Sequence, residues 1–131
     1  MEDEREVYWA AGFLEGEGCF TSTKWGSPRI RANQTATREP LDRLVKIFGG
    51  KIDPVDNSRN RDRGMKTQDA FVWYLGAIPA IIALFKLYPL MSSHRQEQIA
   101  IALEATLNQK GINRTGVKEA LIERISSIRR A

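Results

Sequence analysis

Two glutamates, Glu15 and Glu17, flank Gly16 at the end of the apolar run Val7-Tyr-Trp-Ala-Ala-Gly-Phe-Leu14. Carboxylates suit a divalent cation such as Mg²⁺, which prefers oxygen ligands and keeps part of its water shell. The residues before the acids are small. Ala11, Gly12 and Gly16 would let two helices approach at backbone distance, Gly12 and Gly16 standing in GxxxG spacing. Two copies of such a helix, side by side, would set their terminal acids next to each other. Metals a few ångströms apart can stabilise the attacking and leaving oxygens when a phosphodiester is hydrolysed. From these residues alone, Glu17 also reads as a plain helix-terminating acid in a glycine-rich turn.

The rest of the chain supplies elements to position those groups. Asp3 can cap a helix over Glu6–Glu15, with Glu6 at a capping-box spacing. That helix has no polar face, which predicts burial on more than one side, and Gly16 and Gly18 stop it. Cys19–Trp25 and Arg29–Thr35 read as two strands of a hairpin about the turn Gly26-Ser27-Pro28. Pro40–Phe48 carries a helical stripe ended by Gly49-Gly50. Lys51–Val55 is a short strand that Pro54 confines to an edge or a bend. Residues 56–66 form a polar, basic hairpin loop, and Thr67–Leu75 returns as a strand. Helices over Ala77–Leu87, His94–Leu107 and Val117–Arg130 follow, with a linker at Gly111–Gly116. The predicted order is α-β-β-α-β-β-α and then two more helices.

Composition bounds the setting. The 131 residues suit one domain, at 42% hydrophobic and 27% charged. One cysteine excludes an internal disulfide, a zinc ribbon and a CxxC motif, which favours a reducing compartment. The acidic start Met1-Glu-Asp-Glu-Arg5 is unlike a signal peptide, and the longest uncharged run, Ala70–Phe85, is too short to span a membrane. A soluble intracellular protein, neither secreted nor in a membrane, is expected. The net charge of +4 is uneven: −5 over residues 1–19, +7 over 20–95 and +2 over 96–131. A basic middle fits a polyanionic partner, or equally a solvated basic face.

The stretch Ala10-Ala-Gly-Phe-Leu-Glu-Gly-Glu-Gly18, followed by Cys19-Phe20, resembles the LAGLIDADG signature of homing endonucleases, with Ala10 in place of the leading Leu. Pro28-Arg-Ile-Arg-Ala-Asn-Gln34, Arg38-Glu-Pro-Leu41 and Phe48-Gly-Gly50 resemble the family's second strand and second helix. Tyr88-Pro-Leu-Met-Ser-Ser-His-Arg-Gln-Glu97 resembles its P-Y-L-R-S-K-K-K-Q stretch. The resemblance covers roughly residues 5–100 of a single domain 1–131, and the C-terminal helical extension carries no recognisable motif. It implies an α+β fold, the α-β-β-α-β-β-α homing-endonuclease fold, with a four-stranded antiparallel DNA-binding saddle and extra C-terminal helices. One motif per chain implies a homodimer, with Ala11, Gly12 and Glu15 at its interface. The implied activity is site-specific cleavage of both strands of double-stranded DNA with Mg²⁺ or Mn²⁺, in a protein encoded in a mobile intron or free-standing. Glu17 would be the metal-binding carboxylate, and the Gly16 carbonyl a further ligand. Gln34 and Arg38 match the polar and basic positions around the metal. The family's lysine position falls on His94, with Arg95 one residue on as the alternative source of positive charge.

A strand of ten residues is about 33 Å long, close to one turn of B-DNA. Strand alternation puts Ile30, Ala32 and Phe20 toward the core; the strand of Phe71, Trp73 and Tyr74 is aromatic on both pleats, so its facing is ambiguous, and Phe71, Trp73 and Leu75 are assigned to the core. Alternation leaves Thr21, Thr23, Trp25, Arg29 and Arg31 toward DNA. Arg59, Arg61, Arg63 and Lys66 of the loop are expected on phosphates, with Gln68 and Lys51 as further candidates. Two other functions stay open: a non-cleaving nucleic-acid-binding protein of the same fold (an intron maturase or degenerate endonuclease), or a small interaction module dimerising through its first helix.

Overall fold

The first helix starts at its capping residue. In the computed structural model, which describes residues 3–55, 63–64, 69–109 and 116–130, the Asp3 carboxylate accepts from the Arg5 backbone N–H at 2.9 Å. Helix α1 then runs Glu4–Glu17, beyond the apolar pattern at both ends. It stops at Gly18, whose backbone is extended at φ −81° and ψ 156° while its N–H still closes the last helical bond onto the Leu14 carbonyl. A Cβ at Gly18 would lie 2.6 Å from that same oxygen. Glu17 is thereby the last helical residue, and the chain passes directly into strand β1 (Gly18–Ser22).

The remaining elements are β2 (Pro28–Thr35), α2 (Glu39–Phe48), β3 (Lys51–Pro54), β4 (Ala70–Gly76), α3 (Ala77–Leu87), α4 (Ser93–Ala105) and α5 (Val117–Arg130). Short 3₁₀ turns lie at Tyr88–Leu90 and Thr106–Asn108. The four strands form one antiparallel sheet in the order β1-β2-β4-β3. Pro54 sits on an edge strand, where its missing N–H is harmless. β1 ends at Ser22 rather than Trp25, because a turn intervenes. The Thr23 N–H donates to the Ser27 carbonyl at 2.8 Å, and the Gly26 N–H to the Thr23 carbonyl at 2.9 Å. Gly26 has φ +85°, and a Cβ there would lie 2.6 Å from the Ala105 carbonyl oxygen, so this turn packs on the end of α4.

One sheet face carries Phe20, Ile30, Ala32, Trp73 and Leu75, all buried against the helices. Leu14 of α1, Leu41 and Leu44 of α2, Leu84 and Leu87 of α3, and Ile99 and Leu103 of α4 complete the core at 0% exposure. Each such side chain contributes about 1.5–3 kcal/mol relative to an exposed one. The Trp73 indole N–H donates to the Gly49 carbonyl at 2.9 Å, satisfying the core's largest polar handle with the end of α2. Gly50 has φ +95°, and a side chain there would collide with the Tyr74 carbonyl. This lets the chain turn from α2 into β3 against β4. Helix α5 docks through Leu121 and Ile125 and through Arg129, which bridges Glu97 and Glu104 of α4. Among the described residues no helix is long and apolar enough to cross a membrane.

Candidate metal and nucleic-acid site

The acids of α1 end in two different environments. The Glu15 carboxylate accepts from the Ser92 backbone N–H at 2.7 Å and from the Ser92 hydroxyl at 2.8 Å. Ser92 is the N-cap of α4, so Glu15 ties the end of one helix to the start of another. Arg95 adds to the tie. Its Nε–H donates to the Glu15 backbone carbonyl at 3.0 Å, its Nη1 to the Gln98 side chain at 2.9 Å, and its guanidinium lies 5.6 Å over Phe20.

The hydrogen bonds from the Ser92 N–H and hydroxyl, assisted by the Arg95 charge, hold the Glu15 carboxyl below its ordinary value. A folded-state value below the unfolded one contributes stability at higher pH, lost as pH falls through the folded value. Glu15→Gln is therefore expected to lower the melting temperature near neutral pH. The deficit should shrink as pH falls through the folded-state value, because the protonated carboxyl is then neutral like the amide. Thermal melts across a pH series check this; a deficit that stays constant into acid would contradict it.

The Glu17 side chain is exposed and makes no hydrogen bond or ion pair with any described residue. It stands at the negative end of the α1 dipole, and no basic residue occupies the last turn. That location favours a cation. Among the described residues no three His, Cys, Asp or Glu side chains converge on a metal position. The end of α1 thus offers the Glu17 carboxylate and backbone carbonyls. Gly12 and Gly16 are exposed on the outer side of α1, a Cβ on either would meet nothing within 4 Å, and Tyr8 beside them is 52% exposed. Ala11 faces the other way, into the core of the chain at 4% exposure.

The other predicted residues fall into groups. Gln34 is half-buried and pairs with Phe71 in the β2–β4 register. The Arg38 guanidinium lies 5.7 Å over the same Phe71 ring and pairs with Asp42 at 3.3 Å, so Gln34 and Arg38 meet at Phe71. His94 is exposed on the first turn of α4, its Nε2 3.3 Å from the Gln98 Nε2, whereas Arg95 reaches α1. Thr21 is exposed on β1, and the Thr23 hydroxyl accepts from the Ser27 N–H at 3.2 Å, serving the turn. Trp25 is 73% exposed at that turn, with Lys24 Nζ 4.8 Å over its ring. Arg29 and Arg31 lie on the sheet face away from the helices, and Arg63 is exposed. Arg59, Arg61, Lys66 and Gln68 lie outside the described residues. Sequence reasoning missed Ser92 and Tyr74. The first is one of the two serines, Ser92 and Ser93, that precede the helical pattern from His94, a recognisable cap signal.

No family model and no curated protein matches the chain. Solved structures do. The chain is similar to the homing endonuclease I-CvuI in complex with its target in the presence of 2 mM Ca, at 17% identity and a TM-score of 0.58 over 95% of this chain and 94% of that one. It is similar to the homing endonuclease I-TnaI at 18% identity, TM-score 0.52, over 98% and 99%. The group I intron-encoded homing endonuclease I-CeuI, complexed with DNA, matches at 16% identity and TM-score 0.58 over 82% of this chain and 63% of that one. The chain has the fold of the LAGLIDADG homing endonucleases.

Proposed function

We propose that the chain is a site-specific double-stranded DNA endonuclease, working as a homodimer with Mg²⁺ or Mn²⁺ on a long, roughly palindromic target. One observation carries this reading: an unpartnered carboxylate, Glu17, closes a helix that exposes Gly12 and Gly16 on its outer side, beside an open sheet face bearing Arg29 and Arg31. The solved relatives named above as complexes with a target or with DNA support it. A two-fold pairing of α1 brings two copies of Glu17 together and asks for a target of matching symmetry.

The donor set fits the ion: Glu17 carboxylates and Gly16 carbonyls are hard oxygen ligands, as Mg²⁺ prefers. The ion supplies Lewis-acid stabilisation of charge on the phosphodiester oxygens. The chain supplies the rest. Arg95, pinned by the Glu15 carbonyl, sets a permanent positive charge at the end of α1. Gln34 and Arg38 orient water and phosphate, and the open sheet face holds the duplex in register. In this reading the protein works inside the cell, from a mobile intron or a free-standing gene.

The test is cleavage of a randomised duplex library by the chain in Mg²⁺, with the new ends sequenced. Cuts at one long, near-palindromic consensus are expected. Binding without cutting in both Mg²⁺ and Mn²⁺ would overturn the endonuclease and leave a DNA-binding protein on the same fold.

A further inference from the structure

Two arginines on the open face share one aromatic ring. The Arg29 guanidinium lies 4.8 Å from the centroid of Tyr74 and that of Arg31 lies 5.5 Å from it. The register explains how. Arg31 pairs directly with Tyr74, while Arg29 pairs with Gly76, which has no side chain to occupy the space between Arg29 and the diagonal ring. Tyr74 pairs on its other side with Lys51, and Arg31 with Cys19, so one row, Cys19–Arg31–Tyr74–Lys51, crosses all four strands.

This arrangement differs from most of the other described arginines. Arg5, Arg38, Arg43, Arg95, Arg129 and Arg130 each stand within 4.0 Å of a carboxylate. Neither the Arg29 nor the Arg31 side chain makes a hydrogen bond or ion pair with a described residue, and the Arg31 Nε is buried with no acceptor. The acid on the same face, Asp53, belongs to the next row, Asn33–Val72–Asp53, and pairs with neither. Two like charges on adjacent same-face positions repel, and an orphaned donor is costly. A shared π-face offsets part of that repulsion without consuming the terminal N–H donors. It leaves two planar forks, fixed in orientation, with unmet demand for acceptors.

Resting on the proposed function, with the open sheet face laid in the major groove where base edges are distinguishable, we infer that Tyr74 is a specificity-positioning residue. It holds Arg29 and Arg31 as one unit that reads two guanines in each half-site. An arginine fork matches guanine O6 and N7. Same-face residues on a strand are about 7 Å apart, which spans about two base pairs of 3.4 Å each. The two guanines therefore lie within about two base pairs of each other.

The experiment measures affinity for randomised duplexes, position by position, for the parent, Tyr74→Phe, Tyr74→Leu and Arg31→Gln. The parent should lose about tenfold or more when either guanine is replaced. Tyr74→Phe, which keeps the ring, should reproduce the parent. Tyr74→Leu should flatten the preference to under about threefold at those two positions only, with non-specific affinity and its salt dependence unchanged because both charges remain. Arg31→Gln should remove the preference at one of the two guanines, which decides the matter if Tyr74→Leu does not fold. An unaltered profile in Tyr74→Leu overturns the inference, as does an Arg31→Gln loss that is uniform across sequences, the mark of a phosphate contact. Failure of the parent to bind any duplex overturns the DNA reading of the sheet and the inference with it; duplex binding with no guanine preference overturns the inference alone.

Discussion

Glu17→Gln is expected to abolish cleavage while leaving the fold and duplex binding in place. The substituted side chain is exposed and unpartnered, so its loss removes no packing and no hydrogen bond seen in the chain, and stability should stay within about 0.5 kcal/mol. The metal reading assigns it the one negatively charged side-chain ligand from each copy. A neutral amide binds a hard divalent ion poorly, and loss of several kcal/mol of charge stabilisation in the transition state slows hydrolysis by on the order of a thousandfold or more. Binding should hold or tighten, since a carboxylate near phosphates is removed. Single-turnover cleavage and anisotropy on the same duplex separate the two effects. Glu15→Gln is the informative contrast, because that carboxylate is already occupied by Ser92 and its replacement is expected to register in melting temperature. Undiminished metal-dependent cleavage by Glu17→Gln would rule out the assigned site.

The order of elements was legible because each boundary has a local cause. Asp3 caps, Gly18 stops, Gly49-Gly50 turns, and the alternation of Ile30 and Ala32 against Arg29 and Arg31 sorts a sheet face. The misjudged edges have tertiary causes. The β1 pattern continues to Trp25 in composition, but the chain leaves the sheet at Ser22 because Gly26 is held against the Ala105 carbonyl, some eighty residues away. Tyr74 could not be assigned from its strand, which is aromatic on both pleats at Phe71, Trp73 and Tyr74. Only the pairing with Arg31 and the vacancy opposite Arg29 at Gly76 give it a partner. At the end of α1, composition suggests that Glu15 and Glu17 are alike. The motif resemblance gives them different roles, but the contact that occupies Glu15 comes from Ser92, seventy-seven residues away, and no local pattern carries that contact. The same contact separates Arg95 from His94 in space: capping by Ser92 sets the phase of α4, and that phase turns Arg95 toward Phe20 and α1.

Gly12→Leu is expected to dissociate the active species without unfolding the chain. Gly12 lies in the middle of α1, where glycine is less favourable than alanine by about 0.5–1 kcal/mol. Nothing in the single chain needs that glycine. A Cβ there meets no atom within 4 Å, and the residue is exposed. For an isolated chain, replacing it should therefore preserve the fold or slightly stabilise it. For a dimer closed across Gly12 and Gly16, a side chain of leucine size wedges the two helices apart and removes close packing along the whole shared face. It also separates the two Glu17 carboxylates. Sedimentation should find a dimer for the parent and a folded monomer for Gly12→Leu, with unchanged circular dichroism and cleavage lost. The sign of the stability change carries the argument: if Gly12→Leu remains a dimer and cuts at the parental rate, the copies do not meet through α1, and the carboxylate pairing proposed for the metal cannot form there.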